Sequence, residues 1–585
     1  MKLWLDGLSA LAGHAWAAFA VLFAILWAAF ILRRLLLRSI HELNAFEQFA
    51  LSAAGWVVPL LALSMFTFGV SILFNAWMGG MFAIGAVLIS GLFLIRKKND
   101  LKVTLLSLTF LGLCVILRFA FLRDLVLPSY FDPAEHYRLI HILLDSYRAG
   151  ALSTELTQVA YHLGFHFIAA FLSYFLGINA NELMLVWGQM VLAILPFSLF
   201  FVVKRETESN AAAFLSCLLL GFGFHMPAHL MNWGKYPALL GLAAILCVMS
   251  LAYMAYRRDL FPPRLSLFVW IAIAVFASAL IHTRTIILFL LMALAVFITW
   301  LWHRLSRSYS PIGFVCLVFV LAGSITVIQK NPALAVLPAS YLRNDGWMLL
   351  LVLLLGVASA AHHPRQTFFL LVWVALSLAC LFLPISLPII GIQTPLDRPF
   401  VQMFMPIPFS LLGGLGLSAL ARWINRLFPD DPWSQRFGPT PILGLALLNV
   451  IFHYNFYPSA CCRFVTHDDL AAFTWIERNT SSDAVFLIAS SNLYVTSFEG
   501  NLPTAVDAGV WIPLLPERSI QFAQPGFSFA EAEAHAALCE RGIGYTYVGG
   551  APMSFKNSEL DSHASGYLPV FVLPSAKVYQ VTGCE

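Results

Sequence analysis

Three sets of residues in this chain have types and spacings that suit chemistry. The first is Asp132, Glu135 and His136, in Phe131-Asp132-Pro133-Ala134-Glu135-His136. If this segment is helical, Glu135 and His136 follow Asp132 by three and four residues and share its face. A carboxylate there can act as a general base toward a hydroxyl group. The same residues also spell a helix start, with Asp132 as N-cap, Pro133 at the first position and Glu135 closing a capping box. The two roles are compatible. The second set is Lys235, Arg284 and Arg398. Lys235 and Arg284 stand at or near the ends of apolar segments, where ionisable side chains are uncommon and often functional. Arginine offers a fork and lysine a point charge to a lipid phosphate, and snorkelling to headgroups is the alternative. Arg398 follows Asp397 at another such edge, where an Asp397–Arg398 pair or a helix start explains it equally well. The third set, His162 and His166, is spaced i,i+4. That suits two metal ligands on one helix face, or hydrogen bonding at an interface. No matched Cys or carboxylate stands nearby in sequence to mark a metal.

The elements that must position these residues are membrane helices. Of 585 residues, 60% are hydrophobic and 11% charged, and the mean hydropathy is +0.81. A soluble protein carries about 25% charged residues. About 20 apolar residues span a bilayer as a helix. About fourteen crossing segments are predicted, beginning near residues 16, 51, 77, 101, 181, 210, 236, 265, 284, 312, 347, 367, 399 and 440. The fold class is an α-helical polytopic membrane protein with a small C-terminal α/β domain.

The connecting loops alternate in character. One kind is basic: Arg33-Arg34, Arg96-Lys97-Lys98, Lys204-Arg205, Arg257-Arg258, Arg304 to Arg307, Arg365, and Arg422 to Arg426. The positive-inside rule puts these in the cytoplasm. The loops carrying Asp132, Asn232 to Tyr236, His282 to Arg284, Arg343-Asn344-Asp345 and Asp397-Arg398 then gather on the outer face. Keeping Lys204-Arg205 and Arg257-Arg258 inside requires that the apolar run at 158–176 does not fully cross. Residues 135–149 support this: His136, Leu139, Ile140, Leu143 and Leu144 form an apolar stripe, with Arg138, His141 and Asp145 mostly off it. The net charge of +4 therefore argues orientation rather than nucleic-acid binding. The first apolar run ends in Arg33-Arg34, so no cleavable signal peptide is expected. There is no phosphate-binding G-x-x-x-x-G-K-[ST] loop and no dinucleotide fingerprint, which argues against a nucleotide-driven pump.

After Tyr457 the composition turns soluble. A helix opens at His467-Asp468-Asp469, a buried strand covers Ala484 to Ile488, and a helix from Glu531 to Arg541 leads to a strand at Gly544 to Gly549. With an even number of crossings this domain lies outside. Cys461, Cys462, Cys539 and Cys584 fall in this part, where a disulfide is expected without a readable pairing. The domain plan is accessory helices at 1–100, a core at 101–457 with an outer loop and juxtamembrane helices at 123–180, and an extracytoplasmic domain at 458–585.

The chain resembles the GT-C superfamily of integral membrane glycosyltransferases. The resemblance rests on Phe131 to His136, Tyr161-His162-Leu163-Gly164-Phe165-His166, Trp233-Gly234-Lys235-Tyr236-Pro237, His282-Thr283-Arg284 and Asp397-Arg398-Pro399-Phe400. In the tail, Trp475 to Asn479 and Asp507 to Pro513 add to it. It covers roughly residues 101–580. It implies a polyprenyl-phosphate-linked sugar as donor, transfer on the outer face of the cytoplasmic membrane, inversion at the anomeric carbon, and Asp132 as base with Glu135 and His136 beside it. It places Lys235, Arg284 and Arg398 on the donor phosphate, and His162, His166, Trp233, Tyr236, His282 and Asp397 around the substrate. The acceptor, whether glycan, lipid or protein, is left open. No cofactor is indicated, although a divalent metal is compatible with the family. The loop lacks the Asp-Asp or Asp-Glu pair of better-known branches, and three extra helices precede it. The alternative functions are a flippase or transporter of lipid-linked saccharide, and a non-catalytic envelope assembly protein. A flippase would need polar residues near helix centres, whereas here they concentrate at one face.

Overall fold

Inside hydrocarbon no water satisfies backbone N–H and C=O groups, so apolar segments of this length close their hydrogen bonds within helices. A computed structural model describes residues 1–37, 43–94, 101–257, 265–306, 311–387, 391–429, 431, 438–493, 495–496, 503–563 and 565–584. Arg96, Lys97, Lys98, Arg258 and Arg307 of the basic loops lie outside the described residues. The first six helices are α1 (Lys2–Gly13), α2 (Ala15–Leu37), α3 (Ala45–Gly55), α4 (Val57–Leu73), α5 (Ala76–Leu94) and α6 (Leu101–Phe119). After a loop come α7 (Asp132–Ala149), the short α8 (Thr154–Gln158) and α9 (Gly164–Leu176). The bundle continues with α10 (Ala180–Ile194), α11 (Ser198–Thr207), α12 (Asn210–Leu218), α13 (Tyr236–Tyr256), α14 (Leu265–Ile281) and α15 (Arg284–Ser306). It closes with α16 (Pro311–Lys330), α17 (Val336–His362), α18 (Pro364–Ala379), α19 (Arg398–Phe404), α20 (Pro406–Leu427) and a helix at Thr440–His453.

Among the described residues nine helical stretches are long and apolar enough to cross a bilayer, or ten if α3 and α4, bent by 41° across Trp56, count as one span. The expected starts near 77, 265, 367 and 440 fall on shorter apolar helices, as does α9. The start expected near 347 is corrected. α17 already opens at Val336 and runs through Arg343-Asn344-Asp345, bending at Asp345 (φ −127°, ψ 16°). This polar triplet is therefore not a loop. The reason is that Asp345 finds a partner inside the protein: its carboxylate accepts from the His225 backbone N–H at 2.8 Å and meets His225 Nδ1 at 2.5 Å.

The two ends of the bundle differ in kind. At one end Arg205 pairs with Glu47 at 2.7 Å, Arg257 with Glu206 at 3.3 Å, and Gln366 also reaches Glu206. This is the basic end. The C-terminal domain sits on the other. There α7 packs against α9 and α4 on one side, while Tyr137 meets Trp511 of the domain at 5.6 Å between ring centroids. Tyr137, Ile142, Ser146 and Tyr147 are buried as well as the predicted stripe. α7 is thus enclosed by protein on more of its surface than an interfacial helix would be, because the domain covers a second side.

The domain is a mixed sheet with flanking helices. β1 (Ile385–Leu387) and β2 (Gly391–Gln393) form a separate hairpin pair earlier in the chain. In the domain, β3 (Val485–Asn492) runs parallel to β5 (Ser519–Ala523) and to β6 (Tyr545–Gly549), and antiparallel to the short β4 (Pro503–Ala505). β7 (Tyr567–Val572) and β8 (Ala576–Val581) complete the order β4-β3-β6-β8-β7. The helix His467–Asn479 starts with a capping box between Thr466 and Asp469. Asp507 is buried and holds the Ala508–Trp511 turn by accepting from Gly509 N–H at 2.9 Å and Ser554 Oγ at 2.5 Å. Burial pushes its carboxyl up to about 6. Cys539 and Cys584 form a disulfide with a Cα–Cα distance of 5.2 Å across 45 residues. Loop-closure entropy gives such a bridge about 4 kcal/mol, and engineered removals usually cost about 2–5 kcal/mol. Cys539→Ser should therefore lower the domain's stability by about 2–4 kcal/mol. The check is loss of amide-exchange protection in β6 and β8 of the full chain. Unchanged protection would show that the bridge is dispensable.

Candidate active site

Asp132 is the first residue of α7, with Phe131 at the cap position and no side-chain cap. The capping reading is therefore corrected: the carboxylate turns away from its own helix. Its Oδ2 accepts from Lys235 Nζ at 2.7 Å, and both side chains are half-buried. Glu135 does not close a capping box either. It forms a bidentate pair with Arg138 at 2.7 and 2.9 Å on the exposed face. The structure thus separates Glu135 from the site's interior.

Two backbone features bring Asp132 to Lys235. Gly234 has φ +63°, and a Cβ there would overlap Pro133 Cγ and Cδ and lie 3.0 Å from the Ser129 carbonyl oxygen. Only glycine lets the Trp233-Gly234-Lys235 turn approach the start of α7 so closely. Before α7, Tyr130 adopts φ 76°, the left-handed region that non-glycine residues rarely occupy. Its N–H donates to the Cys462 carbonyl at 2.8 Å, which anchors the loop to the segment leading into the domain.

A second ion pair lies nearby. Arg284, the first residue of α15, meets Asp397 Oδ2 at 2.7 Å. Asp397 Oδ1 accepts from Phe400 N–H at 2.8 Å and caps α19. The helix-start reading of Asp397 is thus correct, but its ion partner is Arg284 and not Arg398. Arg398 instead donates to the Ala333 carbonyl at 3.0 Å, and its Nε is buried without a partner.

Histidines and aromatics fill the space between. His166 Nε2 and His136 Nδ1 are 3.1 Å apart and buried, so one ring nitrogen donates and the other accepts. His162 is not on a helix face with His166, because α9 begins only at Gly164. The i,i+4 ligand geometry expected for this pair is corrected accordingly. Its ring instead faces His282 at 4.4 Å, and His282 meets Phe400 at 4.8 Å. Gly164 makes this possible: a Cβ there would lie 2.8 Å from the Leu280 carbonyl oxygen. Burial pushes His136 down to about 3, with the Lys235 charge acting in the same direction. Burial and the Arg284 charge likewise push His162 down to about 3. Both are neutral imidazoles at physiological pH. Among the described residues His162 Nε2 is buried without a hydrogen-bond partner. Tyr236 is buried and stacks on Phe165 at 5.5 Å, while Trp233 packs edge-on to His229 at 4.9 Å and lies further out. Among the described residues no group of three or more His, Cys, Asp or Glu could hold a metal ion.

Sequence reasoning passed over two things. Tyr161 stacks on His162 at 3.8 Å, and its ring lies 6.3 Å from His136 and 5.8 Å from His166, within electrostatic reach of both ion pairs. Its place in the Tyr161 to His166 motif was the available signal. Gly234 was the other, in a turn whose tightness no periodicity reports.

Residues 7–487 match the family model of DUF6541. The chain belongs to the DUF6541 family, a family of unknown function. No curated protein matches the chain. The matched region begins within α1, contains the rest of the bundle, both ion pairs and the histidines of the site, and stops within β3.

The Gly234 contact can be tested on stability. Gly234→Ala should cost about 2–4 kcal/mol, combining the left-handed penalty with overlap against Pro133. Gly177→Ala is the control: its φ is +66° but nothing lies within 4 Å of an added Cβ, so it should cost only about 1–2 kcal/mol. Thermal unfolding of both in nanodiscs decides. Equal losses would refute the close-packing role.

Proposed function

We propose that this protein is a membrane glycosyltransferase that moves a sugar from a polyprenyl-phosphate donor to an acceptor hydroxyl on the extracytoplasmic face of the cytoplasmic membrane. The observation that carries this reading is the Asp132–Lys235 pair and the Arg284–Asp397 pair at the domain-bearing end, with the ring of Tyr161 packed on His162 and near His136. In the reaction the acceptor oxygen attacks the anomeric carbon, the bond from that carbon to the phosphate oxygen breaks, and the hydroxyl proton passes to Asp132. The departing phosphate takes the electron pair and is stabilised by Lys235 and Arg284. Both cations hold carboxylates in the free protein, so the donor phosphate must compete for them. Its arrival draws Lys235 away from Asp132 and uncovers the base. His136 and His166 hold α7 and α9 together, and Glu135 takes no direct part.

On this reading the nine long spans, the bent pair and the four shorter apolar helices other than α9 make fourteen crossings among the described residues, an even number that puts both termini on one side. The basic end faces the cytoplasm by the positive-inside rule, and the Cys539–Cys584 bridge suits an oxidising compartment. A thiol-labelling or reporter-fusion map tests this. A cytoplasmic signal from a fusion near Pro513 would overturn the orientation and the site's placement with it.

The chemistry has its own test. Asp132→Asn should abolish single-turnover transfer from a polyprenyl-phosphate sugar and leave thermal stability near normal, because the amide still accepts from Lys235 but takes no proton. Lys235→Ala and Arg284→Ala should weaken donor binding by a charge-assisted contact worth about 1.5–3 kcal/mol each. Transfer at the normal rate by the Asp132→Asn protein would rule out the base role.

A further inference from the structure

A cavity of about 160 Å³ opens at the same end of the bundle and does not include either ion pair. Arg118 at the end of α6, Gln189 of α10, Asn232, Asp345 of α17 and Tyr454 face it, and exposed Asn455 lies at its rim. The space is roughly ten times what one water molecule needs.

Its charge balance differs from that of the Asp132 site. Arg118 is 3% exposed. Its guanidinium donates to the Tyr454 hydroxyl and the Gly221 carbonyl, and it lies over the rings of Phe222 at 4.5 Å and Tyr454 at 5.3 Å. Its Nε is buried without a partner. Among the described residues no carboxylate forms an ion pair with it. The one carboxylate on the cavity wall, Asp345, is committed to His225 through both oxygens. A buried cation without a counter-ion is costly. Gln189 adds to the demand: it is 2% exposed, and among the described residues its amide has no hydrogen-bond partner. The cavity therefore offers a guanidinium lacking an anion, an amide that both donates and accepts, and aromatic side chains, among them Phe121 and Phe456, on its wall. Carboxylates and phosphates match the first, and sugar hydroxyls match the amide of Gln189, while the Asn232 amide is held by Ser459 N–H and His229.

We propose that this cavity binds a monosaccharide unit bearing an anionic group, with the carboxylate or phosphate on Arg118 and ring hydroxyls on Gln189. Binding there does not depend on Asp132 acting as a base, since Arg118 touches neither ion pair.

The test uses the full chain in nanodiscs and four probes: glucuronic acid, glucose 6-phosphate, glucose and inorganic phosphate. Titration calorimetry should show binding of at least one anionic sugar, with glucose and inorganic phosphate about tenfold weaker or more. Which anionic sugar binds more tightly identifies the group that Arg118 receives. Arg118→Gln should lose about tenfold or more of that affinity, whereas Arg148→Gln, on the exposed face of α7, should lose none. If Arg118→Gln fails to fold, Gln189→Leu keeps the charge and the volume and should weaken both anionic sugars several-fold. Failure of both anionic sugars to bind the native chain would overturn the proposal. So would phosphate binding as tightly as glucose 6-phosphate, or unchanged affinity in a folded Arg118→Gln or Gln189→Leu protein.

Discussion

Two charged side chains separated by 103 residues meet at 2.7 Å, and here the backbones that carry them come nearly into contact as well. At the Asp132–Lys235 pair that contact is made by Gly234 against Pro133, where a single methyl group would collide. Proline contributes a fixed backbone angle and no N–H to satisfy at the first turn of α7. Glycine contributes the left-handed turn that aims Lys235 back at the helix start. The other ion pair follows a similar plan. Gly164 lets the start of α9 press on the end of α14, and at Gly241 an added Cβ would lie 3.0 Å from Thr285 Cγ2, so α13 packs closely beside the His282–Arg284 turn. The histidines, Tyr161 and Phe400 then occupy what these close approaches leave.

Charge balance separates the two polar regions at this end. Around Asp132 both Lys235 and Arg284 have a carboxylate at bonding distance, and His136 and His162 are neutral through burial. The site is stable when empty, and a phosphate ligand must exchange partners to enter. Around Arg118 the guanidinium leans on a hydroxyl, a carbonyl and two ring faces, none of which carries a full negative charge. An anion there adds what is missing and displaces nothing. A half-exposed pair that exchanges partners suits a ligand that comes and goes during turnover, whereas a buried unpaired cation suits one held for recognition.

Much of this was legible in the sequence because it is local. Apolar runs marked every helix of the bundle that packs around the site, and the composition change after Tyr457 marked the domain. Residue type and position at helix ends singled out Asp132, Lys235, Arg284 and Asp397. What the sequence withheld was partnership. Asp397 adjoins Arg398 in the chain but pairs with Arg284, because capping α19 turns its second oxygen toward the start of α15. Arg343-Asn344-Asp345 reads as a loop, yet α17 passes through it because Asp345 is satisfied by His225, 120 residues away. His162 and His166 have helical spacing, but the close packing at Gly164 starts the helix after His162. Arg118 sits in an apolar run with no polar neighbour, and its meaning depends on Gln189 and Tyr454 from distant segments.

The C-terminal segment is part of this architecture and not an appendage. Its residues touch each strand of chain that builds the site: Cys462 holds Tyr130 just before Asp132, and the Ser459 N–H donates to Asn232 Oδ1 at 2.6 Å just before Lys235. The Val495 carbonyl accepts from Arg398 N–H at 2.9 Å beside Asp397, and Trp511 backs Tyr137 of α7. Tyr130 shows why such bracing is needed. A tyrosine in the left-handed region costs about 1–3 kcal/mol, and it persists here because the hydrogen bond to Cys462 and ring contacts with Phe131 at 4.5 Å and Phe464 at 5.3 Å fix it. The region shared with the DUF6541 family ends at residue 487, inside β3, so the Ser459 and Cys462 braces fall within it while the Val495 and Trp511 braces lie beyond. The part of the tail that the family shares is the part that sets the backbone on either side of the Asp132–Lys235 pair.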